Sequence, residues 1–170
     1  MKNQKGFSLI ELLIVVVIIG IIAAIAIPNL LAARRSANEG SAISAMRTLH
    51  GAQMTYASTY GNGNYAGTAS GTGDNVALTQ LGAPGLVDSV LSTATKAGYN
   101  FVGGRVASSS SAPATFFFSA VPSTSSGITQ TGARRFGIAT DGVLMADPTA
   151  ANLGTQFTAT TVAAATPLSN

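Results

Sequence analysis

The sequence contains no cysteine or tryptophan and very few charged residues. Of its 170 residues, 9% are charged, whereas charged residues make up roughly 25% of typical soluble domains. Without cysteine the chain forms no disulfide, so its loops need another kind of cross-link. A single histidine without clustered acids makes no metal site, and no Ser–His–Asp spacing or acid pair indicates catalysis. We therefore expect no enzyme, no metal ion and no cofactor.

The net charge is small once the N-terminal lysines are set aside. The chain carries nine basic and six acidic residues, a formal charge of +3. Removal of Lys2 and Lys5 would leave seven basic residues against six acidic ones, a charge of +1. No basic face or stripe of the kind that binds phosphates follows from this balance, so we expect no nucleic acid partner.

A long apolar run begins close to the N-terminus. No charged or hydrogen-bonding side chain occurs from residue 12 to residue 28, and only Ser8 and Glu11 interrupt the apolar stretch 7–28. A helix that crosses a bilayer needs roughly 20 predominantly apolar residues. The sequence therefore predicts a single membrane helix, with Lys2 and Lys5 on the cytoplasmic side by the positive-inside rule.

Glu11 is the one carboxylate in this predicted membrane segment. An acid in such a place is costly and by default indicates a function with a charged partner. Cleavage between Gly6 and Phe7 would remove both lysines and create an α-amino group four residues before Glu11. That amine could reach Glu11 of the same chain or of a neighbouring copy, and a pair at 4 Å is worth about 4 kcal/mol at an effective dielectric constant of 20.

The stretch Lys5-Gly6-Phe7-Ser8-Leu9-Ile10-Glu11-Leu12-Leu13 resembles the processing site of type IV prepilins and type II secretion pseudopilins. The resemblance implies that residues 1–6 are a leader, that a dedicated peptidase cuts after Gly6, and that it then N-methylates Phe7. It also implies that Glu11, with the amine of Phe7, acts in assembly. An ordinary secretory signal would have its cleavage site after the apolar region instead.

Gly20 and Pro28 lie inside the predicted membrane helix, in the segment 7–28. Proline removes one backbone hydrogen bond and kinks a helix, while Gly20 with Ala24 forms a small-xxx-small pair. Both residues are also tolerated in ordinary membrane helices. By resemblance to the family, we expect the helix to loosen between Gly20 and Pro28 in an assembled filament.

The second half of the predicted helix, residues 29–60, is amphipathic. One face is predicted from spacings of three and four, and its residues are Ile43, Met46, Leu49, Gln53, Tyr56 and Tyr60. Arg35 and Glu39 lie four residues apart and are expected to form a weak surface pair. A single helix over 7–60 would be about 80 Å long, and its second half needs a domain on which to pack.

The remainder of the chain predicts loops followed by strands. Residues 61–97 are expected to be a connecting loop with short helical turns near 76–81 and 86–93. Residues 98–147 are expected to form an antiparallel sheet, with a hairpin turn at Asp141-Gly142 between apolar runs. Residues 148–170 are a Thr- and Ala-rich tail, which the sequence leaves open as a disordered tail, an edge strand or an acceptor of O-linked glycan.

These predictions combine into an α+β fold in which a long N-terminal helix packs on a small antiparallel sheet of about four strands. This is the fold of the pilins that the N-terminal motif resembles. The resemblance implies a structural subunit of a bacterial type IV pilus, and a type II secretion pseudopilin or a monomeric membrane-anchored adhesin remain alternatives. It implies these partners: further copies of the chain in a helical homopolymer, the prepilin peptidase and methyltransferase, an assembly platform and its ATPase. The expected location is the inner membrane before assembly, with the N-terminus cytoplasmic, and an extracellular filament afterwards.

Overall fold

The computed structural model describes residues 6–168, and its contacts divide the chain into two units, Met1–Arg34 and Arg35–Asn170. We describe each unit by itself. The elements in chain order are the helices and strands α1 (Leu9–Thr59), α2 (Val76–Gly82), α3 (Ser89–Ser92), β1 (Thr95–Lys96), β2 (Tyr99–Val106), β3 (Thr115–Pro122), β4 (Arg135–Ala139), β5 (Leu144–Asp147), a 3₁₀ helix (Ala150–Asn152) and α4 (Ala159–Ala163).

The first unit contains the apolar part of α1. Its side chains are hydrophobic all round, a pattern that soluble surface helices do not have. The helix passes Gly20 and Pro28 without a break. Pro28 has no N–H for the carbonyl of Ala24, and the side chain of Asn29 donates to the Ile25 carbonyl at 3.2 Å.

The sheet of the second unit is an antiparallel meander in the order β1-β2-β3-β4-β5. Its longest pairing joins β2 to β3, from Tyr99 opposite Pro122 to Val106 opposite Thr115. The helix and this sheet confirm the predicted α+β fold, with five strands where about four were expected. The additional strand is β1, whose two residues Thr95 and Lys96 pair with Asn100 and Tyr99.

The core of the second unit lies between α1 and one face of the sheet. Met46 and Leu49 of α1 belong to the same buried cluster as Phe116, Phe118 and Phe136 of β3 and β4. Phe117 points the other way, as the two-residue period of a strand requires. It packs with Phe157 and Val162 from the C-terminal segment, so the tail covers the second face of the sheet.

Polar contacts fix α1 against the loop between β3 and β4. The backbone N–H of Ala133 donates to Glu39 Oε1 at 2.7 Å, and Arg134 Nη2 lies 2.7 Å from Glu39 Oε2. The predicted surface pair of Arg35 with Glu39 is wrong, because Arg35 Nε donates to the Gln130 carbonyl instead. Glu39 is buried rather than solvent-exposed. The loop that supplies its two partners is almost a hundred residues away in the sequence and lies against it in the fold.

The end of α1 differs slightly from the prediction. The helix ends at Thr59, and Tyr60 is 58% exposed, so Tyr60 does not belong to the buried face. Gln53 of that face is fully buried, where its side chain makes both hydrogen bonds of the Ala66 backbone, at 2.9 and 2.8 Å. The Gln53 side chain thereby satisfies the backbone N–H and carbonyl of Ala66, a loop residue that belongs to no strand.

The connecting loop 61–97 contains both short helices near their predicted places. Asp88 is the N-cap of α3, where its Oδ1 accepts from the Leu91 N–H, and its Oδ2 lies 2.6 Å from Lys96 Nζ. The hydrogen bond from Lys96 holds the pKa of Asp88 below its usual value. The Asp141 turn also has its expected form, because Asp141 Oδ1 accepts from the Val143 N–H.

The C-terminal segment is held by a buried ion pair. Arg135 Nη2 lies 2.7 Å from Asp147 Oδ2, and the Arg135 guanidinium lies 4.0 Å from the centre of the Phe157 ring. Asp147 also accepts from the backbone of Thr149 and the side chain of Asn152. Hydrogen bonds from Thr149, Asn152 and Arg135 hold the pKa of Asp147 well below its usual range. Up to residue 168 the tail is therefore ordered on the sheet by charge and aromatic contacts.

Candidate functional site

The Gly6–Phe7 peptide bond lies just before the first helix. Gly6, Phe7 and Ser8 are non-helical and exposed, and Phe7 is 85% exposed. Helix α1 begins only at Leu9. The bond that the motif predicts to be cut therefore lies in open backbone rather than in a helical turn. Lys2 and Lys5, which the sequence predicts to belong to a leader, lie outside the described residues.

Glu11 has a local hydrogen bond that sequence reasoning missed. Its Oε2 accepts from the backbone N–H of Ser8 at 2.9 Å. Glu11 is the third residue of α1, so the contact is one half of a capping box, in which a side chain satisfies a free N–H at the helix start. The pattern Ser8-x-x-Glu11 was a sequence signal for it.

The charge of Glu11 is exposed and is not balanced within the described chain. None of the three ion pairs among residues 6–168 includes it. Those pairs use Asp88, Glu39 and Asp147 with basic residues of the second unit. Its hydrogen bond to Ser8 occupies one carboxylate oxygen, so the other oxygen is available for a second donor.

The apolar helix surface beside Glu11 is large. Sixteen large apolar side chains between residues 7 and 30 are each at least half exposed. Complete burial of such a side chain is worth about 1.5–3 kcal/mol, so their combined burial is worth tens of kcal/mol. The helix is long and apolar enough to cross a membrane, and none of its apolar window is buried. Such an exposed apolar surface suits contact with lipid or with other apolar helices.

Gly20 lies in the middle of that surface with open space around it. A Cβ placed there would meet no heavy atom within 4 Å. No other part of the described chain packs against Gly20. A helix that packs closely on this residue would have to belong to a second molecule. Loosening of the helix between Gly20 and Pro28 stays a prediction about the assembled state.

The only histidine lies in the second unit, against the sheet. His50 Nε2 is 3.4 Å from the Thr140 carbonyl, and its ring lies 5.4 Å from that of Phe116. Among residues 6–168, no three His, Cys, Asp or Glu side chains come together as metal ligands.

Comparison with protein families identifies the same N-terminal region. A family model described as the prokaryotic N-terminal methylation motif matches residues 1–27. This match includes Gly6, Phe7, Glu11 and Gly20. No solved structure was found to match the chain.

Curated relatives fall into two groups. The chain is 69% identical over 39 residues to the type IV wide pilus major component PilA4 of Thermus thermophilus, covering 23% of this chain and 30% of the relative. It is 46% identical over 54 residues to the type IV major pilin protein PilA of Myxococcus xanthus, covering 32% and 24%. It is 36% identical over 56 residues to the type II secretion system core protein G of Klebsiella pneumoniae, covering 33% and 40%.

The matched segments span about a quarter to two fifths of the length of these relatives. The same segments make up 23–33% of this chain, so the sheet of the second unit is described from its own structure. That structure is a long N-terminal helix with an antiparallel sheet, as in pilins. The N-terminal region is therefore similar to that of type IV pilins and type II secretion pseudopilins, and the fold is consistent with this likeness.

Proposed function

We propose that this protein is a structural subunit of a bacterial type IV pilus. The observation that carries the proposal is an exposed, membrane-length apolar helix that starts with a processing motif and an unbalanced carboxylate. Such a surface is stable only in lipid or against other apolar helices. The protein is a structural subunit rather than an enzyme, in keeping with the relatives that it matches.

Processing is the first step of the proposal. The precursor inserts into the inner membrane through residues 12–27 with its leader in the cytoplasm. A prepilin peptidase then cuts after Gly6 and methylates the new amine of Phe7, which keeps its positive charge. The open backbone at Gly6, Phe7 and Ser8 supports access by a peptidase.

Assembly is the second step. The free oxygen of Glu11 pairs with the methylated amine of a neighbouring subunit as that subunit docks, with an assembly platform and ATPase driving the cycle. The attraction is about 4 kcal/mol at 4 Å and an effective dielectric constant of 20. It offsets much of the cost of moving a charge into an apolar helix bundle.

A pseudopilin of a secretion system is the alternative within the same superfamily. Pseudopilins of this kind are expected to have an acid-lined calcium loop near the C-terminus. In the present chain, the two C-terminal acids have other partners, since Asp141 caps its own turn and Asp147 pairs with Arg135. The higher identity to the pilus component than to the secretion protein also favours a pilus subunit.

The proposal is tested by intact mass and N-terminal sequencing of sheared and membrane fractions from cells. We expect an abundant sheared chain that begins at N-methylated Phe7. The same mature chain confined to membranes would favour a pseudopilin. A chain that begins at Met1 in both fractions would indicate a plain anchored adhesin and contradict the proposal.

Two substitutions of Glu11 separate its cap from its charge. Glu11→Gln keeps an oxygen that can accept from the Ser8 N–H, whereas Glu11→Val removes both the cap and the charge. Because the proposal assigns assembly to the charge, we expect both variants to accumulate as processed chain in membranes and to lose filaments at least tenfold. The measurement is the ratio of sheared to membrane-bound chain by immunoblot. Normal filament yield from Glu11→Gln would refute the charge pair and leave only a capping role.

A further inference from the structure

The loop between β3 and β4 exposes one large apolar side chain. Ile128 is 78% exposed, and among residues 35–168 the next most exposed large hydrophobic residue is Tyr60, at 58%. Residues 126–129, which form the tip of the loop, are all exposed. The side chain of Ile128 therefore projects from a polar loop into the surroundings of the second unit.

The loop is closed by its own hydrogen bonds. The Thr131 N–H donates to the Thr124 carbonyl at 3.0 Å, and the Gln130 N–H donates to the Gly127 carbonyl at 3.2 Å. Gly127 has a φ of +80°, which suits glycine at this tight turn. A loop already folded in this way loses little conformational entropy when its tip is buried.

The loop is also held to the part of α1 that directly follows the apolar segment. Arg35 Nε donates to the Gln130 carbonyl at 3.2 Å, and Asn38 Nδ2 donates to the Thr131 carbonyl at 2.9 Å. Arg35 comes five residues after Leu30, where the run of exposed large apolar side chains ends. Five residues of helix rise about 8 Å. This length is close to the roughly 5–8 Å that lipid headgroups add on each side of the hydrocarbon core.

The charge beside the loop is positive. Among residues 6–168, Nε is the only nitrogen of the Arg35 side chain that makes a hydrogen bond, so both terminal nitrogens have free donors. Glu39, the acid closest to Arg35 in the sequence, is buried and paired with Arg134. Residues 123–134 contain no acid. Because a guanidinium group binds phosphate oxygens well, this surface complements a layer of lipid phosphates.

We propose that the loop 123–134 rests on the surface of the membrane that α1 crosses, with Ile128 inserted between the lipid headgroups and Arg35 bound to lipid phosphate. The inference rests on the proposed function, since it requires α1 to be inserted in the membrane before assembly. Interfacial binding of this kind grows with the buried apolar area and with attraction to anionic lipid. One apolar side chain is sufficient because α1 tethers the unit, which gives the loop an effective concentration on the order of millimolar at the bilayer.

The absence of cysteine allows a direct test with single thiols. Ile128→Cys in the full-length chain is labelled with an environment-sensitive fluorophore, and the chain is reconstituted into vesicles of phosphatidylcholine and phosphatidylglycerol. Val143→Cys is the matched control, because Val143 is also exposed but lies in the turn at the other end of β4. We expect lipids that carry a nitroxide near the headgroup to quench the label at position 128 at least about twofold more strongly than the label at position 143.

A third label separates the loop contact from the membrane helix. Ile19→Cys places the fluorophore inside the predicted membrane segment, where a nitroxide deep in the acyl chains should quench it. Quenching at position 19 with equal, weak quenching at positions 128 and 143 would overturn the loop contact and leave the membrane helix in place. Absence of quenching at all three positions would overturn both. Emission from position 128 that responds to the protein-to-lipid ratio but not to nitroxide lipids would indicate contact with a second copy, and it would also overturn the proposal.

The role of Arg35 is tested by lipid charge. Quenching at position 128 should be stronger in vesicles with phosphatidylglycerol than in phosphatidylcholine alone. Arg35→Gln should reduce this difference and Arg35→Lys should retain it, because lysine keeps the positive charge. Arg47→Gln is the control, since Arg47 is an exposed arginine farther along α1, and it should leave the difference unchanged. Equal effects of the Arg35→Gln and Arg47→Gln substitutions would overturn the assignment of lipid phosphate to Arg35.

Discussion

Asp147 connects Arg135 of β4 to the beginning of the C-terminal segment. Its carboxylate accepts hydrogen bonds from Arg135 Nε at 2.9 Å, from Asn152 Nδ2 at 2.9 Å and from the Thr149 N–H at 2.8 Å. The substitution Asp147→Asn keeps the size of the side chain and removes its charge. It leaves Arg135, whose side chain is only 10% exposed, without an anionic partner.

The expected loss of stability follows from that burial. Removal of one partner of a buried ion pair costs about 3–5 kcal/mol. Arg135 keeps its hydrogen bond to the Thr155 carbonyl at 2.8 Å and its contact with the Phe157 ring. Those contacts offset part of the penalty, so we expect a loss near the lower end, about 3 kcal/mol. For a domain of this size that corresponds to a decrease in Tm of about 10 °C.

The assay is thermal unfolding of the purified full-length chain in detergent, followed by near-ultraviolet circular dichroism of tyrosine. All four tyrosines belong to the second unit, so the signal reports on that unit alone. Asp141→Asn is the matched control, because Asp141 accepts from the backbone of Val143 and forms no ion pair among the described residues. We expect it to cost less than about 0.5 kcal/mol. Equal losses of stability for the two variants would refute the idea that the Arg135–Asp147 ion pair holds the C-terminal segment.

The same variant has a predicted pH dependence. Because the folded-state pKa of Asp147 is depressed, its contribution to the free energy of unfolding is fully present above the unfolded pKa, near 4. It is lost as the pH falls through the folded-state value. The difference in Tm between wild type and Asp147→Asn should therefore be constant from pH 7 to pH 5 and shrink below pH 4. A difference that grows at low pH would contradict the sign of the shift.

Two further substitutions test the contacts of α1 by the same assay. Glu39→Ala should lower stability by about 2–3 kcal/mol, because it leaves the Ala133 N–H and the partly exposed Arg134 without an acceptor. A loss below about 0.5 kcal/mol would show that this contact does not hold the helix. Gln53→Leu should cost about 2–4 kcal/mol, because it leaves the buried N–H and carbonyl of Ala66 unpaired. Met54→Leu is its control, and equal unfolding temperatures for the two variants would contradict the account.

The strands could be predicted because they are short apolar runs bounded by turn residues, the pattern of a strand that is buried on both faces. Phe116 and Phe118 face α1, and Phe117 between them faces the C-terminal segment. The short strand β1 could not be predicted in this way, since two residues make no such run. The tail was left open for a related reason, because its threonines and alanines do not indicate which face of the sheet they cover.

The polar contacts that join distant parts of the chain were beyond sequence reasoning. A carboxylate four residues after an arginine on a helix predicts a local pair, but Glu39 pairs with Arg134 of a distant loop. The local rule failed because a weak exposed pair competes poorly with a buried carboxylate that accepts from both a guanidinium and a backbone N–H. Such a partner is fixed by the fold and has no signature in the spacing of residues.

The cap on Glu11 changes how its charge is understood in the proposed assembly. A carboxylate in lipid is costly, but one of its oxygens is already satisfied by the Ser8 N–H at 2.9 Å. This N–H belongs to Ser8 and not to the leader, so cleavage after Gly6 leaves the bond in place. The new amine would belong to Phe7, directly before Ser8, so in the proposed assembly both it and the amine of a neighbouring subunit are candidate partners of Glu11. The cap orients the carboxylate and leaves one oxygen for a donor, so the choice between the two amines depends on which one loses less hydration when the helices pack. In the proposed assembly, the amine of a neighbouring subunit that is already enclosed by apolar helices has little water left to lose. Pairing of Glu11 with that amine is therefore favoured as the incoming subunit docks.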